Sequence, residues 1–251
     1  MATRYNYTGG IVTNGLVLNL DAAKTDSYPG TGTTWRDLSG NNNNGTLTNG
    51  PTFSGVGKQA SIVFDGVDDY CGITSNLTTR QNWNSYWANS NQVTFIMVIS
   101  ANFSGTTAQR DSLFGQQYYY GNGFSIEIHG NSTQPRNLGY NIGATANFAI
   151  LSGPTYSNFT YQPTFISLTH DGTTKQIRFS VNGTFYTATL PQVVNVGNFM
   201  NDTTFNVQVA RFASGGGFYN KSFYYLSTYN RVLSDSEVSQ NFNALRGRYG
   251  I

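Results

Sequence analysis

The stretch KSFYYLSTYNRVLSDSEVSQNFNALRGRYG, residues 221–250, changes its period half-way along, and that change frames the whole chain. Phe223 to Tyr229 is aromatic and apolar between turn residues, the pattern of a strand. Ser234-Asp235-Ser236-Glu237 then forms a capping box: the Ser234 hydroxyl accepts from the Glu237 backbone N–H, and the Glu237 carboxylate accepts from the Ser234 N–H. Leu233 stands where it can staple onto Val238. Val238, Phe242 and Leu245 recur at helical spacing, and Arg246 and Arg248 occupy the end of the helix dipole that favours cations. No other segment has a convincing helical pattern, so the chain is predicted to close with one strand and one short helix packed on it.

Upstream of this stretch the chain reads as short strands separated by turn chemistry. Gly15 to Asp21 alternates Leu16, Leu18 and Leu20 with Val17 and Asn19, which predicts a strand with one face in a core. Residues 27–51 read as a long Gly/Asn/Thr loop anchored by Trp35 and Leu38, with Trp35 assigned to the core. Ser61 to Phe64 and Cys71 to Ile73 pair across the turn Asp65 to Tyr70, and the unbroken apolar run Val93 to Ile99 predicts a central strand covered on both faces. On Gly123 to His129, Phe124, Ile126 and Ile128 share one face while Ser125, Glu127 and His129 share the other. Thr164 to Leu190 reads as a three-stranded meander with turns at His170 to Thr173 and at Asn182-Gly183, the second a type I′ hairpin. Together these predict an all-β antiparallel sandwich or barrel of one domain, residues 15–251, preceded by an N-terminal arm, residues 1–14.

Charged residues make up 10% of the 251-residue chain, against about 25% in ordinary soluble domains. Asn, Gly, Ser, Thr and Tyr take their place, so solubility rests on neutral polar groups that suit sugars or close packing against other copies. The net charge of +2 and the scattered arginines leave no footprint for nucleic acid. Cys71 is the single cysteine and reads as a small buried hydrophobe, with no internal disulfide to form. Met1 is followed by Ala-Thr-Arg-Tyr rather than an apolar stretch, and no run approaches membrane-spanning length. The sequence-based expectation is therefore a chain made in a cytoplasm without a signal peptide, with no membrane insertion.

A set of motifs in order gives a more specific lead: Leu16 to Asp21, Trp35-Arg36-Asp37-Leu38-Ser39-Gly40-Asn41 with Gly45-Thr46-Leu47, Phe64 to Tyr70, Asp171-Gly172-Thr173 with Val181-Asn182-Gly183, and Tyr229 to Glu237. With these the chain, from about Gly15 onward, resembles the concanavalin A-like lectin/glucanase superfamily, and within it the laminin-G-like jelly-roll domains that stand alone in bacteriophage and other viral proteins. The resemblance implies a two-sheet antiparallel jelly-roll sandwich, one sheet concave, with the first strand paired beside the last. It also implies calcium held by loop oxygens in some members. The acidic cluster here is Asp65, Asp68 and Asp69, whose spacing is that of turn formers. No metal is assigned, and calcium stands only as the ion the resemblance allows.

Glycosidases share this fold, and hydrolysis with retention needs two carboxylates about 5 Å apart. The chain has two glutamates: Glu237 is engaged in the cap, and Glu127 stands alone on its strand face. We therefore expect no enzyme. Trp83, Tyr86 and Trp87 in one polar loop, and Tyr118, Tyr119 and Tyr120 in another, are the candidate contacts for a glycan or a protein partner. The expectation is a virion structural protein, a capsid decoration or fibre-type subunit. Its partners would be other virion proteins of capsid or tail, copies of itself through residues 1–14 and the aromatic loops, and surface glycans. The alternative is a stand-alone lectin for host or cell-surface recognition.

Overall fold

The computed structural model describes residues 9–55, 57–73, 91–100, 110–116, 123–129, 137–142, 148–151, 162–190, 207–212 and 215–251. Among these, two eight-stranded antiparallel sheets pack face to face as a jelly-roll sandwich. In the first sheet, β7 (Gln92–Ser100) and β12 (Pro163–Asp171) form the centre; β13 (Gln176–Val181) and β14 (Thr184–Thr189) continue one side. On the other side lies β16 (Ser222–Tyr229), followed by β5 (Ser61–Val63) and β4 (Thr52–Ser54), with β1 (Leu16–Asp21) also paired to β16. The second sheet runs in the order β11 (Phe148–Leu151), β10 (Asn137–Ile142), β9 (Phe124–His129), β8 (Arg110–Gly115), β15 (Val207–Val209), β6 (Tyr70–Ile73), β3 (Gly45–Thr48) and β2 (Thr34–Trp35).

The first strand does pair with the last, and β7 is buried on both faces as its apolar run predicts. The meander β12 to β14 is as read, with Asn182 and Gly183 both at positive φ (46° and 83°), the geometry of a type I′ turn. Three expectations need correction. The strands on either side of the Asp65 to Asp69 turn do not pair with each other: β5 lies in the first sheet between β16 and β4, and β6 in the second between β15 and β3, so the turn carries the chain from one sheet to the other. His170 is the penultimate residue of β12 rather than part of a turn, and the chain turns after Asp171. The stretch read as one long loop contains β2 and β3, because Gly45 lets β3 lie close against Cys71: a Cβ there would meet the Cys71 Sγ at 2.4 Å.

The rest of that stretch seals the outer edge of β1. Asn19 donates its N–H to Asp37 Oδ1 (2.8 Å) and its carbonyl accepts from Leu38, while the Val17 carbonyl accepts from Ser39 Oγ and from the side-chain amides of Asn41 and Asn43. Asp37 also takes the N–H groups of Ser39 and Asn43, so one carboxylate holds the loop. The asparagine run thus supplies donors as well as turns, with Asn42 at φ 58°.

Helix α1 (Asp235–Tyr249) lies on the outer face of the first sheet. Val238, Leu245 and Tyr249 join Ile96, Val98, Phe165 and Tyr224 in a second core, and Leu233 is part of it. The capping box is present in both directions, and Arg231 grips Glu237 through two bonds of 2.9 and 2.6 Å. That guanidinium, with the Ser234 N–H, holds the Glu237 carboxyl down at about 2. Of the N-terminal arm, residues 9–14 are described, and they are tied to this helix. Val12 donates to Asn241 Oδ1 (2.8 Å) and accepts from the Tyr229 hydroxyl (3.0 Å), and Gly10 accepts from Gln240 (2.9 Å).

The main core lies between the sheets. Trp35 is fully buried there, its ring perpendicular to Phe223, and Cys71 is a free buried thiol whose ionisation burial opposes. His170 also points inward, fully buried, with Nδ1 3.1 Å from the Tyr140 hydroxyl and Nε2 without a partner among the described residues. Burial pushes its pKa down to about 4, outweighing the opposite pull of the neighbouring Asp171 carboxylate. A histidine depressed from 6.5 destabilises the fold only where the unfolded chain is protonated and the folded one is not. Stability is thus expected to be untouched above pH 6.5, to fall through the window down to pH 4, and to lose about 3 kcal/mol in all. Urea unfolding of the protein and of His170→Gln at pH 7, 5.5 and 4.5 checks this. Parallel pH profiles would show that the histidine is not the titrating group.

Candidate binding face

The outer face of the second sheet is built by simple alternation. On β9, Phe124, Ile126 and Ile128 enter the core, so Ser125, Glu127 and His129 face out, as read from the sequence. On β15, Val207 and Val209 turn inward and Gln208 outward; on β6, Cys71 and Ile73 turn inward and Tyr70 and Gly72 outward. A bulge between Ser112 and Phe114 on β8 keeps Phe114 in the core and sets Gly115 on the outer face opposite Ser125.

The registers then bring one row of residues into line across six strands. Asn141 of β10 pairs with Ser125, Ser125 with Gly115, Gly115 with Gln208, Gln208 with Gly72, and Gly72 with Thr46 of β3. Every member is small or a neutral amide, and the row spans about 24 Å at the usual strand spacing of ~4.8 Å. Its β10 end is buried and its β3 end opens: Ser125 is fully buried, Gly72 is half-buried and Thr46 is exposed. Among the described residues, a Cβ on Gly72 would meet nothing nearer than a Tyr70 ring carbon at 3.8 Å, an ordinary contact with an aromatic edge.

Charged groups flank the row on one side. Glu127, fully buried between Ser112 and Gly139, takes Arg110 through Nη2 (2.5 Å) and Nε (3.0 Å), and His129 Nδ1 stands 3.7 Å from the same carboxylate. Further along, the Arg211 guanidinium lies over the Tyr70 ring, 3.5 Å from its centroid, and its Nε donates to Gln208 Oε1 at 2.5 Å. On these strands Glu127 is the only carboxylate among the described outward residues. The Arg110 partner was not visible in the sequence because it lies 17 residues away on a neighbouring strand.

Trp83, Tyr86, Trp87, Tyr118, Tyr119 and Tyr120, the contacts expected from the sequence, all fall outside the described residues. The structure does bring Asp65, Asp68 and Asp69 together, their carboxylate oxygens within 4.8 Å of one another. Two of the three are engaged in forming the turn: Asp65 Oδ1 accepts from the N–H groups of Val67 and Asp68, and Asp69 Oδ2 from that of Asp65. The Val67 N–H leads in holding the Asp65 carboxyl below its usual range, while burial raises that of Asp69.

No family model and no curated protein matches this chain in sequence. Solved structures match it in fold. A botulinum neurotoxin DC binding domain in complex with rat synaptotagmin II is 14% identical at TM-score 0.65, covering 93% of this chain and 52% of its own. A botulinum neurotoxin type C structure concerned with interaction with two ganglioside molecules has the same identity and coverage at TM-score 0.67. A mutant of Trypanosoma rangeli sialidase displaying trans-sialidase activity is 16% identical at TM-score 0.61, over 95% of this chain and 34% of its own. The shared fold is a two-sheet antiparallel jelly-roll sandwich. The chain spans about half the length of the neurotoxin binding domains it matches, and identities this low speak to architecture alone. No described helix is long and apolar enough to cross a membrane.

Proposed function

We propose that this chain is a non-enzymatic carbohydrate-binding module whose ligand lies on the open end of the small-residue row, over Gly72 and Thr46 and against Tyr70. The observation that carries the reading is the row itself: a floor of neutral hydrogen-bonding and glycine positions, bordered by an aromatic ring, suits a sugar that presents hydroxyls and an apolar face together. Neighbours of this fold named for gangliosides and for a sialyl ligand support it. A binding role rather than hydrolysis is supported by Glu127, whose two oxygens are both taken by Arg110 and which has no second carboxylate beside it on the outward strand positions among the described residues. The virion role expected from the resemblance gains no support from these neighbours. The described part of the arm, expected to make assembly contacts, is bound to the chain's own helix.

Gly72→Val tests the site directly. The position is half-buried on a strand, and a Cβ there meets the described residues at no less than an ordinary contact distance, so the variant is expected to fold with an unchanged melting temperature while glycan-array binding falls at least about tenfold, some 1.4 kcal/mol. Trp87→Ala serves as the comparison. Loss of binding in Trp87→Ala with full binding in Gly72→Val would move the site to the aromatic loops, and a blank array for the native protein would end the lectin reading.

A further inference from the structure

Arg211, like Arg36 and Arg246, has no carboxylate partner among the described residues, and it stands beside the small-residue row. Arg110, Arg178, Arg231 and Arg248 are each paired with a carboxylate: Glu127, Asp235, Glu237 and Asp21. Arg211 is held by two neutral groups instead, the Tyr70 ring beneath its plane and the Gln208 amide on Nε. The cost of fixing a long, flexible side chain is therefore already met in the free protein, and the Nη groups remain for a ligand. The placement matters as much as the charge. Gln208 and Gly72 belong to the small-residue row, and Tyr70 borders it, so the guanidinium stands beside the floor of the proposed sugar site. The acidic turn at Asp65, Asp68 and Asp69 precedes the same strand, yet none of its carboxylates forms an ion pair with Arg211.

Resting on the carbohydrate reading, we propose that Arg211 is an anion subsite, and that the ligand is an acidic glycan carrying a carboxylate or sulfate. A planar fork of N–H donors matches either group through two parallel bonds, and the Tyr70 ring, whose face carries the guanidinium, borders the sugar with its edge beside Gly72. Thr46, exposed opposite Gly72, adds a hydroxyl to the same floor.

Titration calorimetry of the native chain and of Arg211→Gln and Arg211→Lys with sialyllactose, a sulfated lactose and plain lactose tests the subsite. The native protein is expected to bind one of the acidic sugars at least tenfold more tightly than lactose. Arg211→Gln should remove that preference, so that within this variant the acidic sugars bind no more tightly than lactose, and Arg211→Lys should restore only part of it, since a point charge lacks the fork. A preference for the carboxylated over the sulfated sugar, or the reverse, identifies the group. Equal affinity for acidic and plain lactose, or a preference that survives Arg211→Gln, overturns the anion subsite and leaves the carbohydrate reading standing. Failure to bind all three sugars, with a blank glycan array, overturns both. Should Arg211→Gln not fold, competition on the native protein decides: inorganic sulfate is expected to displace the acidic sugar selectively, and no displacement overturns the subsite.

Discussion

Arg110→Met is expected to destabilise the protein by about 3–5 kcal/mol, because it leaves the Glu127 carboxylate buried without its hydrogen-bonded partner, with only His129 Nδ1 beside it at 3.7 Å. Glu127 is fully buried between Ser112 and Gly139, neither of which brings a charge, and Arg110 reaches both of its oxygens, at 2.5 and 3.0 Å. The penalty comes from the orphaned ion rather than from the lost attraction, so removing the ion should repair most of it. Arg110→Met combined with Glu127→Leu is accordingly expected to recover more than half of the loss. Urea unfolding of the two single variants and the double variant forms the cycle that isolates the pair. A loss under about 1 kcal/mol in Arg110→Met would mean that water reaches the carboxylate, and the buried polar face would need redrawing.

Trp35→Ala should cost a similar amount, about 3–5 kcal/mol, for an unrelated reason: it opens a cavity in the main core. The indole is wholly buried against Phe223, with ring centroids 6.3 Å apart at 82°, and its neighbours Gly45 and Cys71 are too closely fitted to slide into the gap. Trp35→Phe should cost much less. It keeps most of the ring and removes a buried indole N–H that has no acceptor among the described residues. The midpoints of denaturant unfolding rank the two variants. Equal losses would show that the N–H, and not the volume, holds the residue in place.

What the sequence revealed and what it hid follow from the range of the interactions. The capping box at Ser234 and Glu237 and the Asn182-Gly183 hairpin are made by residues within a few positions of each other, so their chemistry is legible in a short window. β2 and β3 were hidden in an asparagine- and glycine-rich loop because their partners are distant: Gly45 pairs with Ile73, and its missing side chain makes room for Cys71. The proposed binding face was hidden for the same reason. Sequence reading favours large residues, and it selected the tryptophans and tyrosines of two loops. The six-strand row is recognisable by what its residues lack, and it exists only once five separate registers and one bulge are set. Glu127 was seen on its outward face, but the cross-strand arginine that neutralises it could not be.

The sealed edge of β1 bears on how many copies of the molecule can be held close together. An open strand edge is a template: a second chain can lay its own backbone along it, and repetition leads to fibres. Here the outward groups of Val17, Asn19 and Asp21 are already taken, by Ser39, Asn41 and Asn43, by Asp37 and Leu38, and by the Ser27 hydroxyl. Crowded side by side on a surface, neighbouring copies find no backbone to pair with at this edge, so each keeps its own fold.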